Sequence, residues 1–439
     1  MSTQKQKRPF ALRALAAFAG TLAILFVLLL AAYALPGERV RQHVYDSART
    51  IQNEGLYPEY LGFKLFQMDN YTDTLMLFEA ASADELPPLQ AMMTNTAYNV
   101  DNFETLADDL AWYIEKDWST GAQRTDAPAL EPFSYARYWH GYLIWLRPLL
   151  LLMPYTGVRI VQYIVLFALL AVVLVQLRRR CGLRAAVWFA VSQLAVSVWF
   201  VPHQMQYFTC FMIAYAGCAW VLAKPRRSDV LCLGLLVLGT ATAFCDLLVT
   251  PIITLGLPLT CWLLEPQQRL RGGVPQCALA VGGSLCWGTG YALCWAGKWA
   301  LAGAVTNNNV LADALHQAEV RTTADTWHGM ELTWRNIFIF LYDTLNSHHL
   351  FWPALAVLAV LIALFILSIR SKTALVRALP LALTTCMTPA WFVLLRTHSI
   401  QHGWFTWRAL GLTVFAGLAF LYYACDLRAA RRRLQKGSI

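Results

Sequence analysis

Charge is what this sequence has least of. Only 14% of its 439 residues are Asp, Glu, Lys or Arg, while 58% are hydrophobic and the mean hydropathy is +0.45. Soluble domains carry roughly 25% charged residues, so the balance excludes a soluble enzyme or a disordered chain. Nucleotide-binding signatures are missing as well: there is no P-loop, no GxGxxG after a strand and no kinase motif. No fixed-period repeat or low-complexity tract occurs, which leaves a transporter of two inverted halves without support. Eleven cysteines are present, all within apolar runs or the short loops on one side of them. Neither a disulfide framework nor a CxxC metal centre is indicated, and the cysteines read as small packing residues.

Long apolar runs are what the chain has instead. A bilayer crossing takes about 20 apolar residues, and runs at 14–35, 158–177, 185–201, 205–223, 230–245, 247–264, 277–298, 351–369, 379–395 and 407–425 predict about ten spans. The first, preceded by Lys5, Lys7, Arg8 and Arg13, reads as a retained signal-anchor helix. If the N-terminus is inside, the inner segments hold 21 of the 35 basic residues and three acids, Asp229, Glu265 and Asp426. Lys and Arg accumulate in cytoplasmic loops, so both termini are expected in the cytoplasm, with the chain multi-pass in the plasma membrane. The net charge of +9 then serves topology on an anionic leaflet. Membrane lipids are the expected neighbours, and no nucleic-acid partner is expected.

The expected fold is all-α, a polytopic transmembrane bundle. Its organisation divides into a tail and first helix (1–35), a large outer segment with amphipathic and interfacial helices (36–156), a transmembrane bundle (157–300), a second outer segment (301–350), and C-terminal spans with a basic tail (351–439). The outer face holds the other 23 acids and all nine histidines, and inner loops are shorter than about ten residues, too small to fold around a cytosolic substrate. Any chemistry therefore belongs outside, where ATP and nucleotide sugars are not available.

Within the first outer segment, 38–52 reads as a helix. A second helix is expected where Phe103, Leu106, Leu110, Tyr113 and Ile114 recur at three- and four-residue spacing. Asp101 or Asn102 suits its N-cap, while Asp108, Asp109, Glu104 and Glu115 form its solvated face. The stretch 138–154 carries Arg147 before Pro148 and reads as interfacial or re-entrant, because arginine at the bilayer centre is costly. His140 and Arg147 there, with Arg321 and Arg335 in the second outer segment, are polar positions open to a structural or functional role.

The densest candidate for chemistry is QMDNYTD at 67–73. If helical, Asp69 and Asp73 share a face. They would hold a divalent cation such as Mg2+ or Mn2+ through oxygen ligands, or one would act as general base while the other orients it. The alternative is that Asp69 caps the apolar run that follows; Asn70-Tyr71-Thr72 is also a formal glycosylation sequon. Asp246 ends a run of about 16 residues, roughly 24 Å of helix, which leaves it near or below the outer interface, where an ionisable group is a functional candidate, with Lys298 or a backbone cap as its structural alternative. The last outer turn, RTHSIQHGWFTWR at 396–408, gathers Arg396, His398, His402 and Arg408. Such groups bind phosphate by a guanidinium fork and donate to a departing oxygen; zinc ligation by the two histidines or interface anchoring with Trp404 and Trp407 are the other readings.

A first span, a long outer loop with an early acidic motif and amphipathic helices, and a bundle with short inner loops together resemble the GT-C superfamily of membrane glycosyltransferases. The stretches around Asp69 and RTHSIQHGWFTWR look like its uncharacterised bacterial members. The resemblance covers nearly the whole chain in architecture, although the family's usual DD, DE or DxD is here the wider-spaced pair Asp69 and Asp73. It implies transfer of a sugar from a polyprenyl-phosphate donor to a cell-envelope glycan, lipid or protein acceptor. Asp69 would be the base, with Lys298, Arg396, His398, His402 and Arg408 at the phosphate. Competing expectations are a lipid-linked glycan polymerase or ligase, which needs outer Arg and His but no early aspartate, and a transporter or flippase, which predicts charges near the midplane.

Overall fold

The computed structural model describes residues 9–83, 85–99, 109–110, 131–271, 273–323, 326–327, 330–331, 333, 335–336, 342 and 351–426. Most of the helix expected around Phe103–Ile114, with its cap and acidic face, lies outside the described residues, as does the basic C-terminal tail.

The described chain is a helical bundle. All ten predicted apolar runs are helical in whole or in large part. Seven helices among the described residues are long and apolar enough to cross a membrane, which defines a multi-pass membrane protein by length and composition. These are α1 (Phe10–Tyr33), α6 (Tyr155–Cys181), α8 (Met205–Ala223), α9 (Ser228–Cys245), α11 (Gly273–Thr306), α14 (Lys372–Leu394) and α16 (Gly403–Ala424). The remaining runs form α7 (Leu183–Ala195), α10 (Ile252–Leu263) and α13 (Phe351–Ser368). Helices α7 and α10 have 13 and 12 residues, about 20 and 18 Å at the helical rise, well short of a 30 Å hydrocarbon core. Each shortening has a local cause. Ser197 takes a left-handed φ of 56° and Pro202 sits in the 3-10 turn Val198–His203, while the chain before α10 turns irregularly through Asp246 and Leu248 (φ 64°).

Outside these helices lie α2 (Glu38–Glu54), α3 (Asn70–Ser82), α4 (Pro88–Thr94), α5 (Leu143–Leu150), α12 (Val310–Thr323) and α15 (Arg396–Gln401). Two small antiparallel ladders, β1 (Thr96–Asn99) with β2 (Glu131–Ser134) and β3 (Thr326–Trp327) with β4 (Met330–Glu331), qualify the all-α expectation.

Apolar side chains face outward as well as inward, as lipid solvation allows. Leu15, Ile24 and Val27 on α1, Ile164 on α6 and Leu285 on α11 are all more than half exposed. A soluble surface does not carry such contiguous apolar faces. Inside, α9 and α11 cross at glycines, since a Cβ on Gly239 would stand 2.0 Å from Trp287 O and one on Gly290 2.2 Å from Leu236 O. Small residues at such crossings let backbones pack where the hydrophobic effect cannot drive helices together.

The two ends of the bundle differ in charge. At one end Arg13 pairs with Asp229 and Arg180 with buried Glu265, each at 2.8 Å. The opposite end carries the segment between α1 and α5, folded down onto the starts of α6 and α8.

Candidate functional site

The segment after α2 is anchored by buried polar contacts. Arg159 of α6 forks onto Glu54 at 2.5 and 2.8 Å, and Asn70 Nδ2 donates to Glu54 and to Gly55 O. Burial opposes ionisation of Glu54, but hydrogen bonds from Arg159 and Asn70 prevail and hold its carboxyl below the usual range. The Asp69 N–H donates to Gln204 Oε1 and Gln204 Nε2 donates to Asn70 Oδ1, so the start of α3 is pinned to the start of α8.

Asp69 is the N-cap of α3: its carboxylate accepts from Thr72 N at 3.0 Å and Thr72 Oγ1 at 2.7 Å. It nevertheless lines a cavity, and burial pushes its carboxyl up to about 7 against the pull of those Thr72 bonds. Asp73 points elsewhere. Its oxygens accept from Met205 N at 2.9 Å, Gln206 N at 3.1 Å and the Tyr155 hydroxyl, so it supplies the anion at the N-terminus of α8. Burial raises its carboxyl to about 6 despite those three donors. The two carboxylates present no shared face to a cation, and among the described residues no cluster of three or more His, Cys, Asp or Glu is placed to hold a metal.

The cavity, about 620 Å³, is lined from five separate parts of the chain: 57–79, 135–142, 206, 247–248 and 398–405. Asp69, His140, His398 and His402 all reach it, so the acidic motif and the turn at 396–408 meet across more than 300 residues of sequence. The His398 and His402 rings lie 4.7 Å apart, and His398 Nε2 is 2.9 Å from Leu248 O. Tyrosines 57, 71, 135 and 138 with Trp404 and Phe405 supply aromatic walls.

Sequence reasoning passed over Glu79, which is in the cavity wall and only 4% exposed. Its carboxylate meets His140 Nδ1 at 2.5 Å and accepts from the Tyr142 hydroxyl, while His140 Nε2 has no partner among the described residues. A carboxylate at Nδ1 orients an imidazole and leaves Nε2 to exchange a proton with a ligand. The signal missed was a further acid on α3, six residues beyond Asp73. His140 takes a left-handed φ of 54°, held because the Gly141 N–H donates to Phe244 O at 2.9 Å. Only glycine fits at 141, since a Cβ would stand 2.5 Å from that oxygen. Two of the non-glycine residues with positive φ, His140 and Leu248, thus line the cavity, as strained backbone at ligand sites does.

The other sequence candidates do not line the cavity. Lys298 is buried with its ammonium on Met92 O and Met93 O (2.7 and 3.3 Å), closing the C-terminal end of α4, and is not paired with Asp246. Asp246 accepts from Val249 N, a backbone cap. Arg147 is fully buried and donates to Ala80 O and Leu35 O at 2.6 and 2.7 Å, which explains how an arginine is accommodated in this short helix. Arg408 packs over the Tyr207 ring at 4.6 Å beside the cavity. Arg396 is half-buried outside the lining, Arg335 is exposed, and the side chain of Arg321 lies outside the described residues.

No protein-family model, curated protein or solved structure matches the chain.

Proposed function

We propose that the chain is a membrane glycosyltransferase of the GT-C kind, moving a sugar from a polyprenyl-phosphate donor to a glycan, lipid or protein acceptor outside the cytoplasmic membrane. The observation that carries this reading is the single cavity holding Asp69 on one side and His398 with His402 on the other. Its aromatic walls suit an amphiphilic donor, and its position at the end of the bundle opposite the Arg13–Asp229 pair supports an outer site with both termini inside.

In this reaction the acceptor oxygen bonds to the anomeric carbon while the bond from that carbon to the donor phosphate oxygen breaks. The acceptor proton passes to Asp69, whose raised basicity suits a base working near neutral pH. The phosphate leaves with the bonding pair, and His398 and His402 donate to the developing negative charge. Arg408, packed over Tyr207 beside the cavity, adds positive potential. Glu79 and Tyr142 hold His140 as a second group able to carry a proton. Asp73 acts by positioning α3 on α8 rather than by touching substrate.

The test compares wild type with Asp69→Asn and His398→Ala for turnover of a radiolabelled polyprenyl-phosphate sugar and for surface glycan. Asp69→Asn should slow turnover by about 10²–10⁴-fold, the usual contribution of a general base. Full turnover by folded Asp69→Asn refutes the assigned base. A deletion strain with unaltered glycans and lost solute uptake refutes the transferase reading in favour of transport.

A further inference from the structure

A second cavity, about 320 Å³, opens at the opposite, basic end of the bundle, between the start of α11, the start of α14 and the end of α16. Three arginines line it, Arg269, Arg370 and Arg377, and no carboxylate does. Arg269 is held against the Tyr423 hydroxyl and ring, yet its Nε is buried without a partner among the described residues. Arg370 is fixed through Nε to Cys425 O. Arg377 is exposed and makes no ion pair or hydrogen bond among the described residues. The first turn of the 23-residue α14 also borders the cavity, with Ser371 Oγ accepting from Ala374 N at 3.1 Å. An N-terminal turn presents unsatisfied N–H groups and the positive end of the helix dipole, a ready setting for an anion.

On this face Glu265 is paired with Arg180, and no carboxylate lines the cavity beside the three arginines. Concentrating like charges in a partly enclosed space costs free energy unless an anion joins them. The surroundings say what kind of anion. Apolar residues flank the opening, with Val376, Leu379 and Leu383 of α14 and Val274 of α11 exposed on the bundle surface. Leu263, Pro380 and Leu381 line its wall. A ligand with a phosphate at the arginines and hydrocarbon along those flanks satisfies both halves.

We propose that this cavity binds the phosphate headgroup of an anionic phospholipid, holding α11, α14 and α16 together at the basic end. Basic pockets between spans bind such headgroups through the same combination of arginine charge and adjacent acyl surface. The site is independent of the transferase reading, since it uses no residue of the other cavity.

The test places the full-length protein in phosphatidylcholine nanodiscs with increasing phosphatidylglycerol and counts retained lipid by native mass spectrometry. One phosphatidylglycerol should be retained in preference to phosphatidylcholine. Each of Arg269→Gln and Arg377→Gln should weaken retention about five-fold, as expected for one arginine at a lipid phosphate. Arg377→Gln alters an exposed side chain with no partner among the described residues, so an unchanged melting temperature in pure phosphatidylcholine separates lost binding from lost fold. Arg178→Gln, at the same end but outside the cavity, should leave retention unchanged. Equal retention of both lipids, an equal loss in Arg178→Gln, or displacement of the lipid by millimolar inorganic phosphate overturns the proposal.

Discussion

Replacing Asp73 by alanine tests the claim that this carboxylate holds the outer segment onto the bundle. The side chain is fully buried and accepts from Met205 N, Gln206 N and the Tyr155 hydroxyl. Its removal strands three donors away from water, at about 1–3 kcal/mol each when left unsatisfied, and takes a negative charge from a helix N-terminus, about 1 kcal/mol. Relief from burying a carboxylate and partial collapse of the site offset some of this, leaving a net loss of about 3–5 kcal/mol. At roughly 2.1 cal/mol/K of unfolding entropy per residue, a chain of 439 residues melts about 3–6 °C lower. Asp73→Asn keeps one acceptor oxygen and should lose about half as much. Asp69→Asn keeps the bond from Thr72 N and should cost about 1 kcal/mol or less. Tryptophan-fluorescence melting of purified variants in one detergent checks the order. A melting temperature for Asp73→Ala within about 1 °C of wild type would mean that Asp73 does not anchor α8, and the separation of positioning from catalytic aspartate would fall with it.

Two further outcomes follow from the same geometry. Burial holds Asp69 and Asp73 at about 7 and about 6 in the folded state, above their ordinary value of 3.8. Their protonated forms are therefore favoured by folding, and their stabilisation is complete below pH 3.8 and lost as pH rises through about 6 and 7. Turnover, which needs ionised Asp69, should rise across the same window; melting temperature and turnover measured between pH 5 and 8 should move in opposite directions, and parallel movement counts against Asp69 as base. At the α9–α11 crossing, Gly290→Ala places a methyl 2.2 Å from Leu236 O. Overpacking there should destabilise by about 1–3 kcal/mol, and a variant that melts like wild type would show that the helices part freely.

The membrane character and the ten apolar runs were legible because a lipid-solvated helix must be apolar along its length, and composition records that directly. Helix ends were less so. The runs at 185–201 and 247–264 read as continuous, but Ser197 and Leu248 adopt left-handed backbone that hydropathy does not register. The pair Asp69 and Asp73 was conspicuous, yet spacing could not say that the N-terminus of α8 claims one of them. Lys298 and Asp246 were each sensible partners for the other, and each found backbone instead. Glu79 drew no notice because an acid six residues past the Asp69 and Asp73 pair stands out only once His140 and Tyr142 lie against it.

Sequence by itself determined that this chain is a helical membrane protein with scarce charges sorted along its length. That information is local: transfer of each segment from water to lipid depends on its own residues. Tertiary structure alone decided which charges meet. It placed Asp69 in one cavity with His398 and His402, turned Asp73 into a helix cap, and set three arginines around a second cavity at the opposite end. Such meetings depend on how the helices pack and on which buried donors must be satisfied, and neither is written in the spacing of residues along the chain.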